Sequence, residues 1–207
     1  MRGLILILYT IITWYFSSAF LIFPSYLLGL IFGEKNCKGL MKFFTGLSMS
    51  NVSFFLHHVL RIPMYTYGQD INLEGTNVFI MNHRSSLDFL FFISLICQTD
   101  DPEKLSIVLK SVLKFVPGMG WTVYVNDFPL LNRKFKEDKS YISDKMKFKE
   151  DKTILIFPEG TRFCPKKLAK CNEYSLKNNY PQYNNVLLPK SKGTYNILIE
   201  LIKQGKL

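Results

Sequence analysis

The sequence predicts an α/β fold: a sheet with flanking helices, preceded by an N-terminal membrane-anchoring helical segment. Three observations carry that expectation. The apolar runs Val78–Met81, Leu105–Leu109 and Thr153–Phe157 have the length and composition of buried strands. Segments long enough for helices lie between them, and strand, helix, strand, helix, strand at this spacing argues for one sheet. The stretch from Gly3 to Gly33 carries no charge, and a bilayer crossing needs about 20 mainly apolar residues.

Size and composition bound the rest. A chain of 207 residues holds one domain with a proper core plus extras. Its 48% hydrophobic content and 18 phenylalanines suit a protein that also contacts lipid. The formal net charge of +10 points to an anionic partner: a nucleic acid, an anionic membrane surface or a phosphorylated substrate. No zinc-finger or RNP-like pattern occurs, so nucleic acid is not expected. Cys37, Cys97, Cys164 and Cys171 show no C-x-x-C spacing, so no metal site is expected. Free thiols facing a reducing cytosol are the expectation, because disulfide frameworks belong to small secreted domains. No histidine stands near Cys164 in sequence to activate it.

The uncharged N-terminal stretch is longer than a signal-peptide core of about 7–15 residues, and no small-x-small cleavage site ends it. Pro24, Ser25 and Gly29 are places where it breaks into a kinked span or a re-entrant pair. Trp14, Tyr15 and Tyr26 suit membrane interfaces. Lys35, Lys38 and Lys42 outnumber the single Arg2 on the other side, which favours a cytosolic location for the downstream residues. Phe43–Leu60 is also uncharged. It carries Ser48, Ser50, Asn51, Ser53, His57 and His58, so an interfacial or domain-packed helix is expected there rather than a span. The two histidines lack acidic or cysteine neighbours and read as interface residues. Residues 1–60 are thus expected to be membrane-associated helices and residues 61–207 the folded domain.

Within that domain Arg61–Gln69 reads as an extended entry strand, and Gly68-Gln69-Asp70 as a turn. Leu87–Cys97 is long enough for a buried helix, ending before Thr99. In Lys110–Trp121, Pro117, Gly118 and Gly120 permit close backbone approach and a tight bend. Trp121–Val125 reads as a short strand and Asn126–Asn132 as a loop. Lys134–Lys152 reads as an amphipathic helix with Phe135, Ile142 and Met146 on one stripe. Lys166–Tyr183 is polar with Asn-rich turns, Val186–Pro189 a short strand, and Thr194–Lys203 a final helix.

Two stretches carry chemistry. In Asn82-His83-Arg84-Ser85-Ser86-Leu87-Asp88, the histidine falls where a strand turns into a helix, among free backbone N–H groups. On a continuous helix His83 and Asp88 would sit about 140° apart. With His83 in the turn and Asp88 in the first helical turn, the carboxylate reaches the imidazole, giving a general base with an orienting acid. A helix cap or surface pair is the plain alternative. The second stretch, Pro158-Glu159-Gly160-Thr161-Arg162, directly follows the third predicted strand. Ligands of such sheets gather beyond the carboxyl ends of the strands, and both stretches lie at such ends. Arg133 offers a planar donor fork suited to phosphate.

Asn82-His83-x4-Asp88, followed about 70 residues later by Phe157-Pro158-Glu159-Gly160-Thr161-Arg162, resembles the 1-acylglycerol-3-phosphate acyltransferase family of lysophospholipid acyltransferases. The region Lys110–Arg133 looks like the family's intervening motif and Val186–Pro189 like its fourth block. The resemblance covers roughly Ile62–Gly193. Glu159-Gly160-Thr161-Arg162-Phe163 and Leu187-Leu188-Pro189-Lys190-Ser191-Lys192-Gly193 look closest to the eukaryotic branch with lysocardiolipin acyltransferase-like enzymes. The resemblance implies a glycerol-3-phosphate acyltransferase-like sheet and transfer of an acyl chain from acyl-CoA to a lysophospholipid hydroxyl, with lysophosphatidate as acceptor. It implies His83 as general base, Asp88 as its partner, and Glu159, Gly160, Thr161, Arg162 and Arg133 as the substrate-binding set. Acyl-CoA enters as co-substrate and no cofactor is implied, since the thioester is already activated. The expected location is a membrane, that of the endoplasmic reticulum, with the catalytic domain facing the cytosol. Family chains commonly continue past the Pro block, whereas this one ends at Leu207. That departure implies a C-terminally short acyltransferase domain and, as the alternative, an inactive lipid- or CoA-binding relative.

Overall fold

The computed structural model describes residues 2–69, 71, 73–99, 101–116, 118–132, 140–143, 146–147 and 150–207. Helices α1 (Arg2–Ser17) and α2 (Phe23–Phe32) are joined by a π-turn over Ser18–Ile22 into one helix of 31 residues. At about 1.5 Å per residue it is roughly 46 Å long, enough to cross a bilayer. Pro24 does not break it, contrary to expectation. Its missing N–H falls just after the π-turn, where Phe23 N–H donates to the Ser18 carbonyl. After Gly33 (φ +92°) the chain turns back into α3 (Glu34–Phe54), which runs on as a second π-turn over Phe55–Val59.

These helices pack through small hydroxylated residues. Thr10, Ser25, Thr45 and Ser48 each donate to the carbonyl four residues earlier, at 2.7–2.9 Å, so their burial leaves no hydroxyl unsatisfied. Their outward faces stay apolar: Ile12 is 65% exposed and Ile31 74%. Contiguous apolar exposure of this kind marks a surface made for lipid or a partner.

The sheet is built from β1 (Asn77–Ile80), β2 (Leu105–Ile107) and β5 (Thr153–Ile156), all parallel in the order β1-β5-β2. Central β5 is buried throughout and alternates its side chains between two cores. Leu155 joins the core of α1, α3 and α4 (Asp88–Thr99). Ile154 and Ile156 join the core of α7 (Ser191–Lys203) with Ile142 and Met146. The N-terminal helices and one face of the sheet therefore share a single core.

Several elements differ from expectation. Arg61–Gln69 forms no ladder; Tyr67 is 93% exposed, and an alternating pattern alone does not supply a pairing partner. The Leu105–Leu109 run is split: β2 pairs with β5, while β3 (Leu109–Lys110) pairs with β4 (Leu130–Leu131). Trp121–Val125 is helical, within α5 (Met119–Val125), because burial of Thr122, Val123 and Val125 overrides their β-propensity. The polar Lys166–Tyr183 stretch contains α6 (Pro165–Lys177), opened by Pro165 in its first turn. Val186–Pro189 is not a strand. Residues 140–143 are helical, and Ile142 and Met146 are buried together as the stripe implied. Phe135 lies outside the described residues.

Gly118 joins the domain to α1. Ser18 Oγ donates to the Gly118 carbonyl at 2.6 Å, and a Cβ at Gly118 would stand 2.7 Å from Tyr15 N and 2.8 Å from Trp14 C. Its φ of +82° excludes ordinary side chains as well. Gly118→Ala is expected to cost at least about 1–2 kcal/mol from backbone conformation alone, read as a lowered thermal midpoint in detergent. Gly39→Ala, on α3 with nothing within 4 Å of its would-be Cβ, is the control expected not to destabilise; equal losses in both would contradict this close approach.

Candidate active site

The sheet register brings the two motifs together. Ile80 pairs with Ile156, so His83 and Glu159 both lie three residues beyond the last paired position of adjacent parallel strands. Both loops leave the same edge. The Glu159 carboxylate accepts the His83 backbone N–H at 3.3 Å, and the His83 carbonyl accepts Phe163 N–H at 2.7 Å. Gly160 closes the turn after β5 by donating to the Phe157 carbonyl at 2.9 Å, at φ +65°.

Asp88 opens α4, and its Oδ2 accepts three hydrogen bonds: from His83 Nδ1 at 2.9 Å, Arg84 N–H at 2.7 Å and Ser85 N–H at 2.8 Å. A carboxylate only accepts, so Nδ1 carries a proton, and in the neutral ring the lone pair is then on Nε2. Phe157 lies against the ring, with centroids 4.4 Å apart. Among the described residues Nε2 has no hydrogen-bond partner, and the ring lines a cavity of about 1280 Å³. A neutral imidazole held this way can take a proton from a hydroxyl placed in the cavity.

The remaining candidates divide by position. Gly160, Thr161 and Arg162 line the cavity with His83. Arg162 donates to Ser86 Oγ, so the guanidinium stands beside the histidine turn. Glu159 is only 4% exposed and sits behind the cavity wall, its carboxylate turned to the His83 backbone. Arg133 falls outside the described residues.

Other contacts complete the site. Lys167 donates to Thr161 Oγ1 at 2.6 Å and to the Arg162 carbonyl at 3.0 Å. Arg84 donates to the Asn185 carbonyl at 2.8 Å, with its guanidinium 4.5 Å from the Phe163 ring centroid. Lys190 N–H donates to the Pro158 carbonyl at 2.8 Å. Arg84 and Lys190 lie inside the quoted motifs with no role assigned by them, and Lys167 lies outside every motif. Lys167 alone left a usable signal, two residues after a proline that suits a helix start.

The cavity's apolar lining comes from Trp14 of α1, Met49 of α3, Phe89 and Ile93 of α4, and Phe128, which pack in the core shared with the N-terminal helices. Its charged lining comes from Lys110 of β3, Arg162, Lys167 and Lys170 of α6, and Lys190 and Lys192 at the start of α7. One chamber thus offers a base, cationic groups and an apolar surface, the requirements of a site for an amphiphile with an anionic head.

This pair of loops leaves the carboxyl edge of a parallel sheet, where the ligands of α/β folds gather. The acyltransferase family model matches residues 63–204, and the chain belongs to that family. Lysocardiolipin acyltransferase 1 of Mus musculus is 35% identical over 134 residues, covering 63% of this chain and 35% of that protein. The Danio rerio protein of the same name is 29% identical over 154 residues, 72% of this chain and 39% of its own. Probable 1-acyl-sn-glycerol-3-phosphate acyltransferase 5 of Arabidopsis thaliana is 26% identical over 205 residues, 97% of this chain and 55% of its own. The chain therefore spans between about a third and just over half of these relatives' lengths. No solved structure matches it.

Proposed function

We propose that the protein is a membrane-bound O-acyltransferase that moves a fatty acyl group from acyl-CoA to the free hydroxyl of a lysophospholipid, with lysophosphatidate as the first acceptor to test. The observation that carries this is a single cavity lined by the His83 ring, by Arg162 and by apolar side chains of α1, α3 and α4. His83 Nε2 takes the acceptor's hydroxyl proton as its oxygen attacks the thioester carbonyl. The C–O bond forms, the C–S bond breaks, and the imidazolium returns the proton to the departing thiolate. Asp88 keeps Nδ1 protonated and stabilises the transient cation. The acyl donor is already activated, so no covalent acyl-enzyme or cofactor is required. The names of the relatives, for lysocardiolipin and 1-acylglycerol phosphate acceptors, agree with a lysophospholipid acceptor.

Residues 1–60 serve as the membrane-associated part and 61–207 as the acyltransferase domain. The apolar helix Arg2–Phe32 supports membrane attachment. Lys35, Lys38 and Lys42 behind it favour a cytosolic catalytic side, with the endoplasmic reticulum as the proposed membrane. Membranes containing the expressed chain, given labelled acyl-CoA and a panel of lysophospholipids, should form the diacyl product above vector-only membranes; no product from any acceptor would overturn the assignment. Arg162→Ala should raise the acceptor KM about 10–100-fold, the worth of one charged hydrogen bond of about 1.5–3 kcal/mol. An unchanged acceptor KM in the folded variant would remove Arg162 from the head-group pocket.

A further inference from the structure

The cavity wall is charged beyond the needs of one phosphate. Lys110, Arg162, Lys167, Lys170, Lys190 and Lys192 line it, and no Asp or Glu does so among the described residues. Arg162, beside His83, is the group placed to meet the acceptor head. The remaining positive charge on the wall suits a second anionic group in the same chamber.

The face of α6 says where that group sits. Lys167, Lys170, Cys171 and Tyr174 all line the cavity, and the spacing i, i+3, i+4, i+7 is one stripe of a helix. Lys167 is committed to the Thr161–Arg162 backbone and side chain, which ties this stripe to the catalytic turn. Lys170, one turn further, is exposed and has no hydrogen-bond or ion-pair partner among the described residues. Tyr174 follows it by four residues.

A second aromatic ring is brought alongside by the helix end. Asn179, at φ +54°, reverses the chain after α6. Tyr180 N–H then donates to the Ser175 carbonyl at 2.9 Å, and Asn172 holds the returning chain through Tyr183, donating to its carbonyl at 3.0 Å and accepting its N–H at 3.3 Å. Tyr174 and Tyr180 stand stacked with centroids 6.2 Å apart, and each is about half exposed, at 53% and 52%. Two backbone-fixed aromatic faces beside an ammonium with no partner among the described residues, on the wall of a cavity that no described carboxylate lines, have the makings of a nucleotide subsite. A base stacked on an aromatic ring gains roughly 1–3 kcal/mol, and a neighbouring Lys supplies a charge-assisted bond to phosphate.

We infer that the α6 stripe, Lys170 with Tyr174 and Tyr180, binds the adenosine 3′,5′-bisphosphate end of the acyl donor, opposite the acceptor head held at Arg162. This rests on the acyl-CoA-dependent function proposed above and assigns its donor subsite. The Tyr pair favours the donor nucleotide over a second lipid phosphate, since a glycerophospholipid head has no ring to stack.

The test uses the full chain in detergent micelles, with 3′,5′-ADP as probe and two donors: acyl-CoA and the acyl thioester of N-acetylcysteamine, which lacks the nucleotide. Wild type should prefer acyl-CoA, and 3′,5′-ADP should compete with acyl-CoA and not with the acceptor. Lys170→Glu and Tyr174→Ala should each weaken 3′,5′-ADP inhibition at least about tenfold and shrink the acyl-CoA preference by a similar factor. Lys170→Gln should fall between Lys170→Glu and wild type. An inhibition constant that ignores these substitutions, or a rise in acceptor KM in its place, overturns the assignment. Calorimetric binding of 3′,5′-ADP separates the two claims. Substitution-sensitive binding without turnover of either thioester would leave the nucleotide site standing and remove the acyltransfer reaction. Turnover with no nucleotide binding would do the reverse.

Discussion

Replacing His83 by alanine is expected to lower turnover by about 10²–10⁴-fold, the usual contribution of a positioned general base. The acceptor hydroxyl is a poor nucleophile until its proton leaves, and Nε2, without a hydrogen-bond partner among the described residues, belongs to a ring that lines the cavity. The loss should fall on kcat, because the cationic and apolar lining proposed to hold both substrates stays in place. Folding should survive: the His83 backbone keeps its bonds to Glu159 and Phe163 whatever its side chain, and Asp88 keeps the Arg84 and Ser85 N–H groups. The measurement is single-turnover product formation with labelled acyl-CoA, alongside thermal unfolding of both proteins. Equal turnover by the two would sink the general-base role.

The parts that local patterning could read were those with one dominant cause. Thr153–Phe157 is apolar without interruption because β5 is covered on both faces, and its composition alone says so. Gly3–Gly33 carries no charge, and Arg2–Phe32 forms one long apolar helix with exposed apolar side chains, as composition alone implies. The meeting of His83 and Asp88 follows from a turn joined to a helix start. The elements misread were those where two causes compete. Trp121–Val125 is rich in β-formers, yet tertiary burial next to α3 and the Ser18–Ile22 π-turn makes it helical. Val186–Pro189 reads as a strand by composition but pairs with none, and its neighbour Lys190 is bonded to the Pro158 carbonyl, a contact no local pattern encodes. Glu159 could be named from its motif, but its burial behind His83 depends on the β1–β5 register, which only the assembled sheet fixes.

Asp88 separates two effects that a serine-protease analogy merges. In the protease template, Asp→Asn places an amide NH₂ against the ring and traps the wrong tautomer, at a cost near 10⁴. Here the same oxygen, Oδ2, serves the ring and two backbone N–H groups at 2.7 and 2.8 Å. Those two donors select an oxygen, so in Asp88→Asn the amide carbonyl should take that place and still accept from Nδ1. The tautomer survives; what disappears is the negative charge that stabilises the imidazolium. A charged hydrogen bond is worth about 1.5–3 kcal/mol, so the expected loss in kcat is only about 10–10²-fold. Asp88→Ala removes the acceptor altogether, frees the ring to rotate and strands two N–H groups at the start of α4. Its loss should approach that of His83→Ala, and His83→Ala/Asp88→Ala together should cost little more than either, as groups acting as one unit do. The readouts are kcat for the three single variants and the double, with circular dichroism to confirm folding. An Asp88→Asn variant as impaired as Asp88→Ala would mean that the amide turned its nitrogen to the ring, against two backbone donors; additive losses in the double variant would mean that the carboxylate acts on something other than this imidazole.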